Sequence, residues 1–130
     1  MIRKTLVLLL LAASLAAYAE SPSKKLTNTI GFFTKSYNKA DYDAIGKRFG
    51  GALAAAVTPA QAKNLLTTVA GRLGKIKTYK LKSLASADHA TYAATCEHGS
   101  LDIEMEVDSQ GKIDKLGLKP AATAAPNARP

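Results

Sequence analysis

The sequence predicts an α+β domain in which N-terminal helices pack on a curved, four-stranded antiparallel sheet. Apolar residues recur every three or four positions up to Leu73, which is the spacing of helices with one buried face. After Gly74 they recur every second position, which is the spacing of strands. Because the two periods occupy separate halves of the chain, helices and strands do not alternate, and an α+β layout follows.

The first predicted helix covers residues 24 to 38. Its apolar stripe consists of Leu26, Ile30, Phe33 and Tyr37, at positions i, i+4, i+7 and i+11. These four side chains lie on one side of a helix, so we expect them to face the core.

Two further helical segments follow. The one that begins at Ala40 is interrupted by Gly50-Gly51, so we expect two short helices joined by a kink. The last helix is predicted to begin near Pro59, because Thr58 suits the N-cap and Gln61 can complete a capping box. It is expected to end at Leu73, before the glycine that follows.

Four strands are predicted over residues 75–84, 90–97, 100–108 and 112–118. The turns between them are short, which favours an antiparallel meander. In the third strand, apolar residues alternate with acids, so one face should pack on the helices and the other should point away from them. The inward residues are Leu101, Ile103, Met105 and Val107, and the outward acids are Asp102, Glu104, Glu106 and Asp108.

The N-terminal residues are typical of a signal peptide. Arg3 and Lys4 precede an apolar run over residues 6 to 13, which is too short to span a bilayer, and small residues flank a cut that we place after Ala19. Cleavage would leave a single domain over residues 20–119 and an Ala- and Pro-rich tail over 120–130, which we expect to be disordered. The mature protein is therefore expected to be periplasmic or secreted, with no transmembrane span.

Charge is unevenly distributed along the chain, whose formal net charge is +8. Residues 24 to 82 contain twelve Lys or Arg and only two acids, whereas residues 83 to 114 contain seven acids and one Lys. Such a distribution suits an anionic polymer or an acidic protein partner, but the two halves of the chain can equally neutralise each other. No feature indicates specific recognition of nucleic acid.

The first strand carries a candidate basic face made of Lys75, Lys77, Lys80 and Lys82. Lysines on an outer strand also protect a sheet edge against aggregation, so edge protection competes with polyanion binding as an interpretation. The apolar phase changes within this strand, between Ile76 and Tyr79, which predicts a β-bulge.

Helices in sequence followed by a curled antiparallel sheet resemble the nuclear transport factor two-like, cystatin-like superfamily. Some segments are more specific: Phe33, Tyr37, residues 42–49, residues 58–61, Leu73-Gly74, Tyr92, the alternation over residues 101–107, and residues 111–113. These resemble a small exported domain of unknown function that occurs alone or ahead of secreted hydrolases. The resemblance implies a cone in which the sheet wraps a long helix around a pocket. The pocket would be lined by Phe33, Tyr37, Leu66, Val69, Tyr92, Leu101, Ile103 and Met105.

Candidates for chemistry are few. Enzymes of this superfamily hold an inward Asp or His, but here the acids of the third strand should point outward, which leaves Asp88, His89, His98 and Asp114 at strand ends. The only cysteine, Cys96, could meet His98 and His89, yet a closed zinc site needs a fourth ligand. We therefore predict no metal and no cofactor, and no catalytic residue.

The leading hypothesis is an exported, non-enzymatic binding or interaction module, whose cone either holds a small apolar ligand or is filled. Two alternatives stay open. In the first, the Lys-rich face binds an anionic envelope polymer or an acidic protein partner; in the second, the chain is an isomerase- or dehydratase-type enzyme of the cone fold. A homodimer across the outer sheet face is also left open, although its row of acids would need cationic partners.

Overall fold

The computed structural model describes residues 21–120, so the predicted leader, its cut after Ala19 and residues 121–130 of the predicted tail lie outside the described part. The described residues form an α+β fold in which four helices pack on a four-stranded antiparallel sheet. In chain order the elements are α1 (Lys24–Asn38), α2 (Tyr42–Lys47), α3 (Gly51–Ala56), α4 (Pro59–Leu73), β1 (Ile76–Ser86), β2 (His89–Cys96), β3 (Gly99–Val107) and β4 (Ile113–Pro120).

The helix boundaries follow from local capping. The Ser23 hydroxyl accepts a hydrogen bond from the Leu26 amide at the start of α1. At the start of α4, the Gln61 amide donates to the Thr58 hydroxyl and the Thr58 amide donates to the Gln61 side chain. This reciprocal pair is the capping box that the sequence predicts. The predicted kink is also confirmed, because α2 and α3 are separate helices with residues 48 to 50 between them.

The sheet has the strand order β1-β2-β3-β4, so each strand pairs with its neighbour in the sequence and the predicted meander is confirmed. The four apolar residues of β3 are buried and face the helices, whereas the acids between them are only partly buried. The register of β1 against β2 shifts between Ile76 and Thr78, which confirms the predicted bulge.

Strand ends differ from the sequence prediction by one to two residues. The largest differences are at the ends of β1 and β4, which extend to Ser86 and Pro120. Antiparallel partners account for both extensions, since Ser86 pairs with His89 across the turn and Pro120 pairs with Leu101. A proline is tolerated there because β4 is an outer strand, where an amide can be spared. The sequence prediction places Pro120 in the tail, but the structure places it in the sheet.

Twenty hydrophobic residues form one core between the helices and the sheet, and none is more than 9% exposed. Polar side chains connect the layers: the Tyr37 hydroxyl donates to the Gly74 carbonyl, and the Thr29 hydroxyl lies 3.2 Å from the Gly111 carbonyl. Among residues 21–120, no helix has the length and apolar character needed to cross a bilayer.

Candidate functional site

The eight residues predicted to line a cone pocket all lie in the core. Each is buried, with an exposed fraction between 0 and 8%. They come from α1, α4, β2 and β3, so the fold does bring them together. A small surface cavity of about 30 Å³ is bordered by Leu66. The two larger cavities of the described surface touch none of the eight residues. Whether these residues can open around a ligand stays a prediction.

Two tyrosines of this core differ in how their hydroxyls are satisfied. Burial is the main reason that the pKa of Tyr37 rises to about 12, and its hydroxyl donates to the Gly74 carbonyl over 2.9 Å. Burial also raises the pKa of Tyr92, but its hydroxyl is buried with no hydrogen-bond partner among the described residues. Buried polar groups are nearly always paired, so the Tyr92 hydroxyl is an unusual feature of this interior.

The two larger cavities lie on the outer face of the sheet, opposite the helices. The first has a volume of about 520 Å³ and the second about 210 Å³, and Asp102 borders both. We call the two together the outer-face furrow. Its outward side chains come from all four strands and include Thr78, Lys80, Lys82, Thr91, Ala93, Thr95, Ser100, Asp102, Glu104 and Lys119.

Small and hydroxyl-bearing side chains make up the floor of the furrow. Strand register places Thr78, Thr95 and Ser100 side by side across three strands, with Ala93 in the adjacent row. Short side chains leave the sheet surface accessible between the longer lysines, and hydroxyls can both donate and accept hydrogen bonds. The furrow therefore offers an extended polar surface.

Two of the three acids of β3 are paired with basic side chains of neighbouring strands. Asp102 pairs with Lys82 of β1 over 2.6 Å. Glu104 lies 2.7 Å from His89 of β2 and 3.8 Å from Lys115 of β4. The hydrogen bond from His89 is the main reason that the pKa of Glu104 is lowered; desolvation opposes the shift, and the charges of Lys115, His89 and Lys119 assist it. The acidic and basic halves of the chain thus partly neutralise each other on this face.

Two lysines of the furrow are left over from this pairing. Within residues 21–120, neither Lys80 nor Lys119 lies within 4.0 Å of a carboxylate. They end the row Lys80, Ala93, Asp102 and Lys119, which crosses all four strands. Three strand spacings separate their backbones by about 14 Å. At each end of the furrow there is thus a lysine that makes no ion pair with the described residues, although the charge of Lys119 acts on Glu104 at longer range.

The predicted basic face is divided by the structure. All four lysines are exposed, but Lys75 precedes β1 and Lys77 is the inserted residue of its first bulge. Only Lys80 and Lys82 border the furrow, and Lys82 is held by Asp102. The sequence does not separate these roles, because they depend on the bulges and on the cross-strand partners.

The candidate metal-binding residues lie on different faces. Cys96 is buried on the helix side, where burial raises the pKa of its thiol, while His89 lies on the outer face beside Glu104. His98 is exposed in the turn between β2 and β3. In the part of the chain that the structure describes, no three His, Cys, Asp or Glu side chains are grouped as a metal site.

Two features of the structure are not predicted by the sequence. Lys119 lies one residue beyond the predicted end of the fourth strand, and only pairing with Asp102 brings it into the furrow. Asn38 bonds to both backbone groups of Ile76, with its amide 2.9 Å from the carbonyl and its oxygen 2.8 Å from the amide nitrogen. In the sequence, Asn38 is only a polar residue at the end of a predicted helix, and nothing near it in the chain indicates a contact with Ile76.

No family model matches the chain, and no curated protein or solved structure matches it. The function proposed below therefore rests on the geometry of the described residues.

Proposed function

We propose that this chain is a non-enzymatic binding module that holds an anionic polysaccharide in its outer-face furrow. One observation carries the proposal: Lys80 and Lys119, which make no ion pair with described residues, end a hydroxyl-lined furrow whose acids are already paired. A polymer with repeated negative charges can meet both lysines at once and hydrogen-bond to the threonine and serine hydroxyls between them.

The core supports a surface site over an internal one. Its residues are buried and come from every layer of the fold, whereas the two larger cavities open on the outer face. A polar furrow that reaches across all four strands suits an extended polymer better than a small apolar molecule, which favours a concave apolar pocket.

We also propose that the fold is the nuclear transport factor two-like cone and that the protein acts outside the cytoplasm. The support for the cone is the layout of four helices on a meander whose first strand carries bulges, since bulges bend a sheet. The support for export is the N-terminal sequence pattern. An envelope polymer is the anionic polysaccharide that a protein in that compartment would meet.

The test is a titration of the purified protein with two anionic polysaccharides, heparin and polygalacturonate, and with neutral dextran, by isothermal calorimetry at 50 and 150 mM salt. Binding of the anionic polymers should weaken as salt rises, and dextran should not bind. The double variant Lys80→Gln/Lys119→Gln should bind roughly tenfold more weakly, because an exposed charge contact contributes up to about 1 kcal/mol and 1.4 kcal/mol corresponds to tenfold.

The matched control is Lys47→Gln/Lys63→Gln, which removes the same charge from the helical side, where both residues are exposed. Its affinity should stay within about twofold of the wild type. Equal losses in the two double variants would show that net charge alone attracts the polymer, and absence of any binding to heparin and polygalacturonate would reject the proposal.

A further inference from the structure

Each outer strand of the sheet has one end of its free edge paired. At β4, residues before α3 pair with Ile113, its first residue: the Gly50 amide donates to the Ile113 carbonyl over 2.9 Å, and the Ile113 amide donates to the Arg48 carbonyl over 2.8 Å. No strand among residues 21–120 pairs with the other side of β1, which is eleven residues long. A free strand edge is a template for a further strand.

The edge of β1 is closed at its ends and open between them. Asn38 occupies both backbone groups of Ile76 at one end, and the Ser23 amide donates to the Ala87 carbonyl just beyond the other. Strand residues alternate in direction, and one extra residue is inserted between Ile76 and Thr78. Tyr79 and Leu81 therefore follow Ile76 in presenting their backbone N–H and C=O to the open edge.

The same two residues expose apolar surface. Tyr79 is 37% exposed and Leu81 is 40% exposed. Together with Leu65 on α4, they are the most exposed large hydrophobic residues in the described part of the chain. The ring of Tyr79 packs edge-on against Tyr92, 5.8 Å away, whose buried hydroxyl has no partner among the described residues. Two partly exposed apolar side chains thus belong to the residues whose backbone groups face the open edge.

Charge selects the kind of strand that can add. Lys77 precedes this segment on β1, Lys80 lies between its two residues with its side chain on the outer face, and Lys35 is exposed on α1. A second copy of β1 would bring the same lysines face to face, so pairing between copies is opposed by repulsion. A strand with acidic residues would be attracted instead.

We propose that β1 binds an extended acidic peptide by strand addition, with Tyr79 and Leu81 providing the backbone pairing and the apolar contact. The peptide segment is short, because the bulges at Lys77 and Lys82 interrupt the edge on either side. Recognition of this kind takes affinity from main-chain hydrogen bonds and specificity from alternate side chains. The bound sequence therefore alternates apolar residues with Asp or Glu.

Selection of a displayed library of random ten-residue peptides on the purified protein tests the proposal. Enriched peptides should alternate acidic and apolar residues, and a labelled synthetic copy should protect the Tyr79 and Leu81 amides from hydrogen exchange. Leu81→Ser should weaken this peptide by about tenfold, as expected for an apolar anchor at an interface. The matched control is Leu65→Ser, which removes a similarly exposed leucine from α4 and should change affinity less than twofold.

Several results would overturn the proposal: no enriched peptide, a tetra-glutamate peptide that binds as tightly as the enriched one, or exchange protection on another strand. The exchange measurement uses the wild-type protein, so it does not depend on how the variants fold. Lys119→Gln separates this site from the furrow, since it should weaken polysaccharide binding and leave peptide binding unchanged. Lys119 is on β4, at the opposite side of the sheet.

Discussion

Asn38 connects the end of α1 to the first residue of β1, and its replacement is predicted to destabilise the fold. The Asn38 side chain makes two hydrogen bonds to the Ile76 backbone, of 2.8 and 2.9 Å. A hydrogen bond of this type contributes about 1 kcal/mol net, so Asn38→Ala should lower the free energy of unfolding by about 2 kcal/mol. Ile76 is only 4% exposed, so water does not readily replace the lost partners.

Urea unfolding followed by circular dichroism measures this loss. With a slope of about 1 to 1.5 kcal/mol per M, the midpoint should fall by roughly 1.5 M. Asn38→Asp keeps the acceptor for the Ile76 amide but cannot donate to the carbonyl, so its stability should fall between those of the alanine variant and the wild type.

Asn28→Ala is the control, because Asn28 is exposed on the same helix and its side chain makes no hydrogen bond with described residues. It should be neutral or slightly stabilising, since alanine favours helix. If Asn38→Ala and Asn28→Ala unfold within about 0.5 kcal/mol of each other, the two hydrogen bonds contribute nothing and the argument from Asn38 fails.

Two further predictions concern backbone and charge. Gly74 has φ 77°, and an added Cβ would lie 2.5 Å from a Glu97 carboxylate oxygen, so Gly74→Ala should lower the free energy of unfolding by about 1 kcal/mol or more. Gly71→Ala, inside α4 with nothing within 4 Å, should instead raise stability by about 0.5 to 1 kcal/mol; a reversed order in thermal unfolding contradicts this reasoning. The lowered pKa of Glu104 means that its ionised form stabilises the fold above the ordinary pKa of about 4.3, and that this contribution is lost as pH falls through the lowered value. Unfolding of Glu104→Gln and wild type should therefore differ near neutral pH and converge in acid, and a constant difference would show that ionisation is not the cause.

The helical half of the chain was predictable from sequence because its signals are local. Ser23 and Thr58 cap helices through atoms three residues away, so the start of α1 and α4 follows from neighbouring residues alone. The alternation of apolar and acidic residues in β3 also predicts correctly which side chains face the helices. In a strand, every second side chain lies on the same face, and Met105 is buried as expected.

The candidate furrow was not predictable, because its parts are far apart in the chain. Lys80 and Lys119 come from opposite outer strands and are related only by pairing through Ala93 and Asp102. Which lysines stay without an ion pair among the described residues is decided by distances such as that between Lys82 and Asp102, and spacing along the chain carries no such information.

The sequence by itself determined the elements of this protein, their order and the faces that they bury, because hydrophobic period and capping act within a few residues. Only the tertiary structure decided which charges cancel and which backbone groups of β1 stay unpaired. Asp102 and Glu104 find cations on strands before and after their own, and Asn38 reaches β1 across the fold. Such partners are chosen by strand register and by the packing of α1 on the sheet, so they exist only once the chain has folded.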